Sequence, residues 1–180
     1  GVYGIKDEAH IYNAHSPFAA SKLYLRSKLA WDPSLDMHAL YNDFMDNFFK
    51  AAAPMMKEYY EQIRAHFAEL SIQLDSAGCY GFNKIGAYYM NPAYWGMDLL
   101  RRYQRLIDQA YDAIEQAGYD QETYEKVWWR IRLDEFFITH WYISTYSQYF
   151  SSQEYEAIKQ AFYADCTALG IIGFSHLDPA

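Results

Sequence analysis

Cysteine is scarce in this sequence, and the cysteines it has are far apart. The 180 residues contain only Cys79 and Cys166, with no CxxC pair and no cysteine–histidine cluster, so the residues predict no zinc site. Two alternatives stay open, one disulfide or two reduced thiols, and the tendency of free cysteine to pack as a small hydrophobe favours the thiols. The sequence also lacks any cofactor motif, and we expect no cofactor.

Positive charge and long apolar runs are also in short supply. Fifteen Lys and Arg face 23 Asp and Glu, which gives a net charge of −8. Nucleic acids and anionic membranes need clustered basic side chains, so neither is expected as a partner. The longest stretch without charge, Phe136–Gln153, is rich in Ser and Thr and reads as a buried helix, so no membrane insertion is predicted.

Proline and glycine are few, at 5 and 9 residues, and several of them mark the starts and ends of helical patterns. Helix starts are predicted at Ser16-Pro17, Asp36, Pro54, Asn91-Pro92, Asp120 and the capping box Ser151–Glu154. With 52% hydrophobic and 21% charged residues, intrinsic disorder is excluded. The sequence predicts an all-α bundle of about six helices, mostly antiparallel. A non-helical stub (1–15) precedes a single helical domain (16–170), and a tail (171–180) follows it.

Aromatic residues are the abundant class, with 19 Tyr, 11 Phe and 5 Trp. Most fall on helical stripes, where they are expected to form core or interface. Tyr80, Phe82, Tyr88 and Tyr89, with Trp95 beyond them, instead occupy a glycine-rich connection over residues 76–91. Flat rings with a polar edge stack on sugar faces, so these five residues are the predicted glycan platform. The alternative is that the connection packs its rings onto the bundle.

A second candidate site is the polar N-terminal cluster formed by Asp7, Glu8, His10 and Tyr12. Glu8 and His10 are its predicted substrate contacts, and the alternative is a disordered stub. Glycoside hydrolysis needs two carboxylates facing one cleft. Adjacent acids such as Asp7 and Glu8 point to opposite sides of an extended chain. Because no nucleophile–base pair is evident either, we expect no catalytic residue in this chain and no metal site.

Residues 23–63 contain a series of motifs in a defined order. They read Lys28–Pro33 (KLAWDP), Leu35–Leu40 (LDMHAL), Asp43-Phe44, Phe48–Pro54 (FFKAAAP) and Tyr59-Tyr60. This order resembles the helical region that follows the barrel in an uncharacterised glycoside-hydrolase-like family, domain of unknown function 4838. It is also similar to the helical C-terminal region of alpha-glucuronidases. The family's Glu is Asp43 here, its Tyr pair is Phe48-Phe49 and its Gly is Lys50, and loss of that Gly predicts an altered corner.

The resemblance implies that residues 1–8 end the last strand of a sugar-hydrolase-like (β/α)8 barrel, whose catalytic residues would lie on strands absent here. The chain would then be a non-catalytic accessory domain that braces the catalytic barrel or its homodimer, in an extracytoplasmic protein. Because it begins with Gly1 and not Met, we expect it to be part of a longer protein. The alternatives are a carbohydrate-binding module using the aromatic connection and, less favoured, a complete small enzyme. A brace predicts one large exposed apolar patch, and a binding module a concave aromatic row.

Overall fold

A computed structural model describes residues 18–76 and 91–171, with the backbone alone for residues 74–76. These residues form six α-helices: α1 (Ala19–Trp31), α2 (Met37–Phe49), α3 (Ala53–Ser76), α4 (Met97–Gln116), α5 (Gln121–Ser144) and α6 (Ser152–Ala168). Short 3-10 turns lie at Lys50–Ala52, Pro92–Tyr94 and Ser147–Tyr149. The described part of the chain contains no strand, and the predicted all-α class is confirmed.

Several helix ends follow the local chemistry that the sequence predicts. The Asp36 carboxylate accepts from the backbone N–H of His38 at 2.8 Å, and the Asp120 carboxylate accepts from that of Thr123 at 2.8 Å. These hydrogen bonds hold the pKa of Asp120 below its usual value. The capping box is complete, with Ser151 and Glu154 each accepting from the other's backbone N–H.

Two predicted helix starts are wrong in position. Helix α1 begins at Ala19 after Phe18, which is left-handed at φ 64°, and not at Ser16-Pro17, which lie outside the described residues. Asn91 does cap the backbone N–H of Ala93, but it starts only the 3-10 turn, and α4 begins at Met97.

Helix α4 buries one face, formed by residues three or four apart: Met97, Leu100, Tyr103, Ile107, Ala110 and Ile114. Leu99 and Leu106, each next to a buried residue in sequence, are only partly buried.

The described residues group into two compact units: a central unit, from the described part of Phe49–Ile131, and a terminal unit, from residues 18–48 with 132–171. The single domain predicted over residues 16–170 stays a prediction. In the central unit α3 packs against α4, and both contact the 3-10 turn at Lys50–Ala52. Its core is an aromatic and aliphatic seam in which the Tyr59 and Tyr103 rings meet edge to face at 5.8 Å between centroids.

Lys50 adopts the left-handed conformation at the start of this corner, with φ 51°. The family resemblance places a glycine there, and glycine takes this conformation without the cost that a Cβ imposes. The corner is tied by a 2.9 Å hydrogen bond from the Ala51 backbone N–H to the Tyr119 hydroxyl. Lys50 therefore adopts a left-handed conformation that a Cβ makes costly, and the prediction that losing the glycine alters the corner stays a prediction.

The terminal unit has a small core where the second half of α5 meets α6. The Phe136 and Phe162 rings pack edge to face at 5.0 Å between centroids, beside the buried Cys166. Cys166 is a free thiol, and Cys79 lies outside the described residues. The buried helix predicted for Phe136–Gln153 is correct for its first half, where Ile138 and Trp141 are buried. It is wrong for the second half, because α5 ends at Ser144 and the chain continues as a largely exposed turn.

Candidate docking surface

Helix α1 contributes little to the core, because Ser21 is its one buried residue. Its N-terminal end is fixed by side chains: the Phe18 backbone N–H donates to the Asp134 carboxylate on α5 at 3.1 Å. The Ser21 hydroxyl donates to the Phe18 carbonyl at 2.9 Å. Further along, the Tyr24 ring packs on Phe44 of α2 at 5.3 Å between centroids. The helix is thus held on one side, and the rest of its circumference faces outward.

The outward side chains include large apolar ones, which lie between the first half of α1 and the start of α2 in sequence. Exposed fractions are 63% for Leu23, 93% for Trp31, 38% for Leu35 and 52% for Met37. We call these four residues the Trp31 corner. An indole that is almost fully exposed is unusual, because tryptophan is highly buried on average in folded proteins. Such exposed apolar groups mark interaction sites when they occur together.

The backbone of the corner is held by Asp32, which follows Trp31. Its backbone N–H donates to the Lys28 carbonyl, and its carboxylate accepts from the backbone N–H of Ser34 at 3.0 Å and from the Ser34 hydroxyl at 2.7 Å. The Ser34 hydrogen bonds keep the pKa of Asp32 below its usual value. With Pro33 fixing φ between them and Asp36 capping α2, the turn presents Trp31 from a defined backbone.

The charged residues on α1 are all basic. The helix carries Lys22, Arg26 and Lys28 and no acidic residue, although the chain as a whole has a net charge of −8. Lys28 extends its ammonium group over the Tyr24 ring, 5.6 Å from the centroid. Burial lowers the pKa of Lys22, with the Arg26 charge acting in the same direction and the Asp134 charge opposing it. An apolar corner beside a basic helix is complementary to an acidic protein surface that has an apolar pocket.

The acidic residues at the junction of α5 and α6 are held in hydrogen bonds and ion pairs. Arg132 donates from Nε to Asp165 and from Nη1 to Glu135, both at 2.7 Å, and the three side chains are at most 20% exposed. We call them the Arg132 centre. Asp134 is adjacent to Glu135 but binds a different partner, the Phe18 backbone N–H. Glu135 and Asp165 therefore share one arginine, and Asp134 is engaged by the backbone of Phe18.

The structure gives the predicted glycan platform less support than the sequence suggests. Trp95 is fully buried, with its ring edge to face against Phe67 at 5.2 Å and against the His66 ring at 4.6 Å between centroids. His66 Nε2 donates to the Tyr94 carbonyl at 2.8 Å and so fixes the turn. Trp95 has no exposed face for a sugar, and the packing alternative is correct for this residue.

The remaining predicted site residues lie outside the described residues. They are Glu8 and His10, with Asp7 and Tyr12 of the same cluster, and Tyr80, Phe82, Tyr88 and Tyr89 of the connection. Over residues 18–76 and 91–171, no group of three or more His, Cys, Asp or Glu is arranged to hold a metal ion. Across those ranges, no helix is both long and apolar enough to cross a bilayer.

The Trp31 corner was not predicted from the sequence, because aromatic residues in helical patterns are expected to form core or interface. One signal was present. Trp31 stands at the last position of α1, directly before Asp32-Pro33, where no further helical turn can cover it.

Comparison with known proteins gives one match. Residues 1–61 match the model of the family described as Domain of unknown function (DUF4838), which is 61 of the 180 residues and includes the whole Trp31 corner. No curated protein and no solved structure matches the chain.

Proposed function

We propose that this chain is a non-catalytic helical accessory domain that binds a neighbouring folded domain through the Trp31 corner. The observation that carries the proposal is the 93% exposure of Trp31 within the segment that matches the family. Burying an indole of this exposure contributes on the order of several kcal/mol before the costs of association are subtracted. Exposure alone thus makes Trp31 the expected anchor, since buried tryptophans dominate binding energy at interfaces.

The partner that we propose is the catalytic barrel of a longer glycoside-hydrolase-like protein, as the motif resemblance implies. The basic, apolar face of α1 favours an acidic barrel surface with an apolar pocket. Two features support a non-catalytic role. The carboxylates of the Arg132 centre form ion pairs with Arg132, and the Asp134 carboxylate accepts a hydrogen bond from the Phe18 backbone N–H. An extracytoplasmic location belongs to the same proposal.

The test begins with the coding sequence upstream of Gly1, which should encode a (β/α)8 barrel. Hydrogen exchange of the backbone amides at residues 29–40 is then compared between the 180-residue chain and the longer protein. We expect slower exchange in the longer protein, because the corner is covered there. A different upstream fold, or equal exchange in both proteins, contradicts the proposal.

A pair of variants separates docking from stability. Trp31→Ser should leave the unfolding free energy of the 180-residue chain unchanged within about 0.5 kcal/mol, because the side chain is exposed. In the longer protein it should lower the melting temperature of the barrel. Ile72→Ser on α3 is the matched control, since Ile72 is 72% exposed and lies outside the corner. Sedimentation of the isolated chain distinguishes a second copy as the partner: a dimer that Trp31→Ser dissociates replaces the barrel in this proposal.

A further inference from the structure

The turn between α5 and α6 combines an exposed ring with neutral polar side chains. Tyr149, in the 3-10 turn Ser147–Tyr149, is 53% exposed. The side chains of Ser144, Ser147, Gln148, Ser151, Ser152 and Gln153 around it in sequence are exposed. No charged residue occurs between Phe136 and Gln153. We call residues 144–153 the Tyr149 turn.

The Tyr149 ring is supported from behind by buried rings. Its centroid lies 5.7 Å from that of the buried Tyr146 in an edge-to-face arrangement, and the buried Tyr142 packs against Phe150 in the same way at 5.2 Å. The turn is closed by backbone hydrogen bonds from Tyr149 to the Tyr146 carbonyl at 3.0 Å and from Phe150 to the Ser147 carbonyl at 3.2 Å. A ring on such a turn is largely preorganised, which lowers the entropy cost of binding.

The turn differs from the exposed Tyr163 site in having no charged residue in its own sequence. The nearest acid in sequence, Glu154, is engaged in the capping box through the Ser151 backbone N–H at 2.8 Å. Tyr163 on α6 is similarly exposed, at 54%, but it lies one helical turn from Lys159, which pairs with Glu156. A half-exposed ring among hydroxyls and amides offers stacking and hydrogen bonds without an ionic contact.

We propose that the Tyr149 turn binds a neutral carbohydrate. The C–H face of one pyranose stacks on the outer face of the Tyr149 ring, and the serine hydroxyls and glutamine amides around the turn exchange hydrogen bonds with the sugar hydroxyls. The turn's own sequence has no charged residue to offer an ion pair, which favours a neutral ligand. This site is separate from the Trp31 corner and does not depend on a barrel being present in the protein.

The experiment titrates the isotope-labelled 180-residue chain with neutral cello-, xylo-, manno- and chito-oligosaccharides to tens of millimolar, which detects millimolar affinity by NMR. At least one of them should shift the Tyr149 ring and turn amides. Tyr149→Ala should weaken that binding about three- to tenfold, the range of one aromatic contact. Tyr149→Phe and the matched control Tyr163→Ala should retain the affinity, and circular dichroism confirms that each variant is folded.

Three outcomes overturn the proposal. The first is that no oligosaccharide binds. The second is that binding persists in folded Tyr149→Ala, and the third is that Tyr163→Ala weakens binding equally. Because none of these measurements involves the longer protein, failure here leaves the docking proposal intact, and failure of docking leaves this site intact.

Discussion

The Tyr103 hydroxyl in the central unit offers a direct test of the core. Its side chain is fully buried between α4 and α3, and the hydroxyl finds no hydrogen-bond partner among the described residues. Leaving a buried polar group unpaired costs about 1–3 kcal/mol. Tyr103→Phe removes that group and keeps the ring against Tyr59, so the variant should be more stable by about 1–2 kcal/mol near pH 8.

The same substitution should have a larger effect at alkaline pH. Burial raises the pKa of Tyr103 to about 12, with the Arg102 charge opposing the shift. In the unfolded chain the phenol has a pKa near 10. Between these values the unfolded state releases the proton while the folded state retains it, so the stability of the wild type falls as pH rises. At pH 11 the added loss relative to Tyr103→Phe is about 1.4 kcal/mol.

Urea unfolding of both proteins at pH 8, 10 and 11 measures this difference, and the comparison cancels the other tyrosines. Tyr163→Phe is the control, because its exposed hydroxyl is already solvated and its removal should change stability by less than about 0.5 kcal/mol. The reasoning is refuted if Tyr103→Phe is less stable than the wild type at pH 8. It is also refuted if the variant's advantage does not grow towards pH 11.

Three further substitutions test backbone strain and buried charge by urea unfolding. Lys50→Gly should stabilise by up to about 1 kcal/mol, because it relieves the left-handed strain at φ 51° and pays only the greater chain entropy of glycine. Gly118→Ala should do the reverse, by about 1 kcal/mol: φ is +65°, and the new Cβ would meet no atom within 4 Å, so backbone strain alone acts. Arg132→Met should destabilise by about 3–5 kcal/mol, since Glu135, which is 8% exposed, would lose its ion pair with Arg132.

Each of these has an outcome that contradicts it. No gain for Lys50→Gly together with no loss for Gly118→Ala would mean that neither position is strained. For Arg132→Met, rescue by the added change Glu135→Leu distinguishes an unpaired charge from simple loss of packing.

The fold was predictable where one local signal decides the outcome. The carboxylates of Asp36 and Asp120 and the capping box at Ser151 set helix starts through contacts within four residues. Such contacts depend on sequence spacing alone, which is why they could be read without a structure. The buried face of α3 is equally local in origin, with Met56, Tyr59, Ile63 and Leu70 buried at helical spacing.

The rest depends on contacts between segments that are distant in sequence. Phe18 starts α1 because Asp134, 116 residues away, accepts its N–H. Trp31 is exposed and Trp95 is buried, although both stand beside a helix end. Helical periodicity does not distinguish them, because their burial depends on tertiary contacts. The position of Trp95 beyond a glycine-rich connection suggested that its ring would be exposed to a sugar. Its ring instead packs against Phe67 and His66 of α3.

The reactivity of Cys166 reports local opening of the terminal unit. Burial, together with the neighbouring Asp165, raises the pKa of this thiol, and the Arg132 charge only partly offsets them. Since the thiolate is the reactive form, Cys166 is protected chemically as well as sterically while α6 stays packed on α5. In a protein whose other cysteine is replaced, the rate of modification of this sulfur measures how often the Phe136–Phe162 core opens.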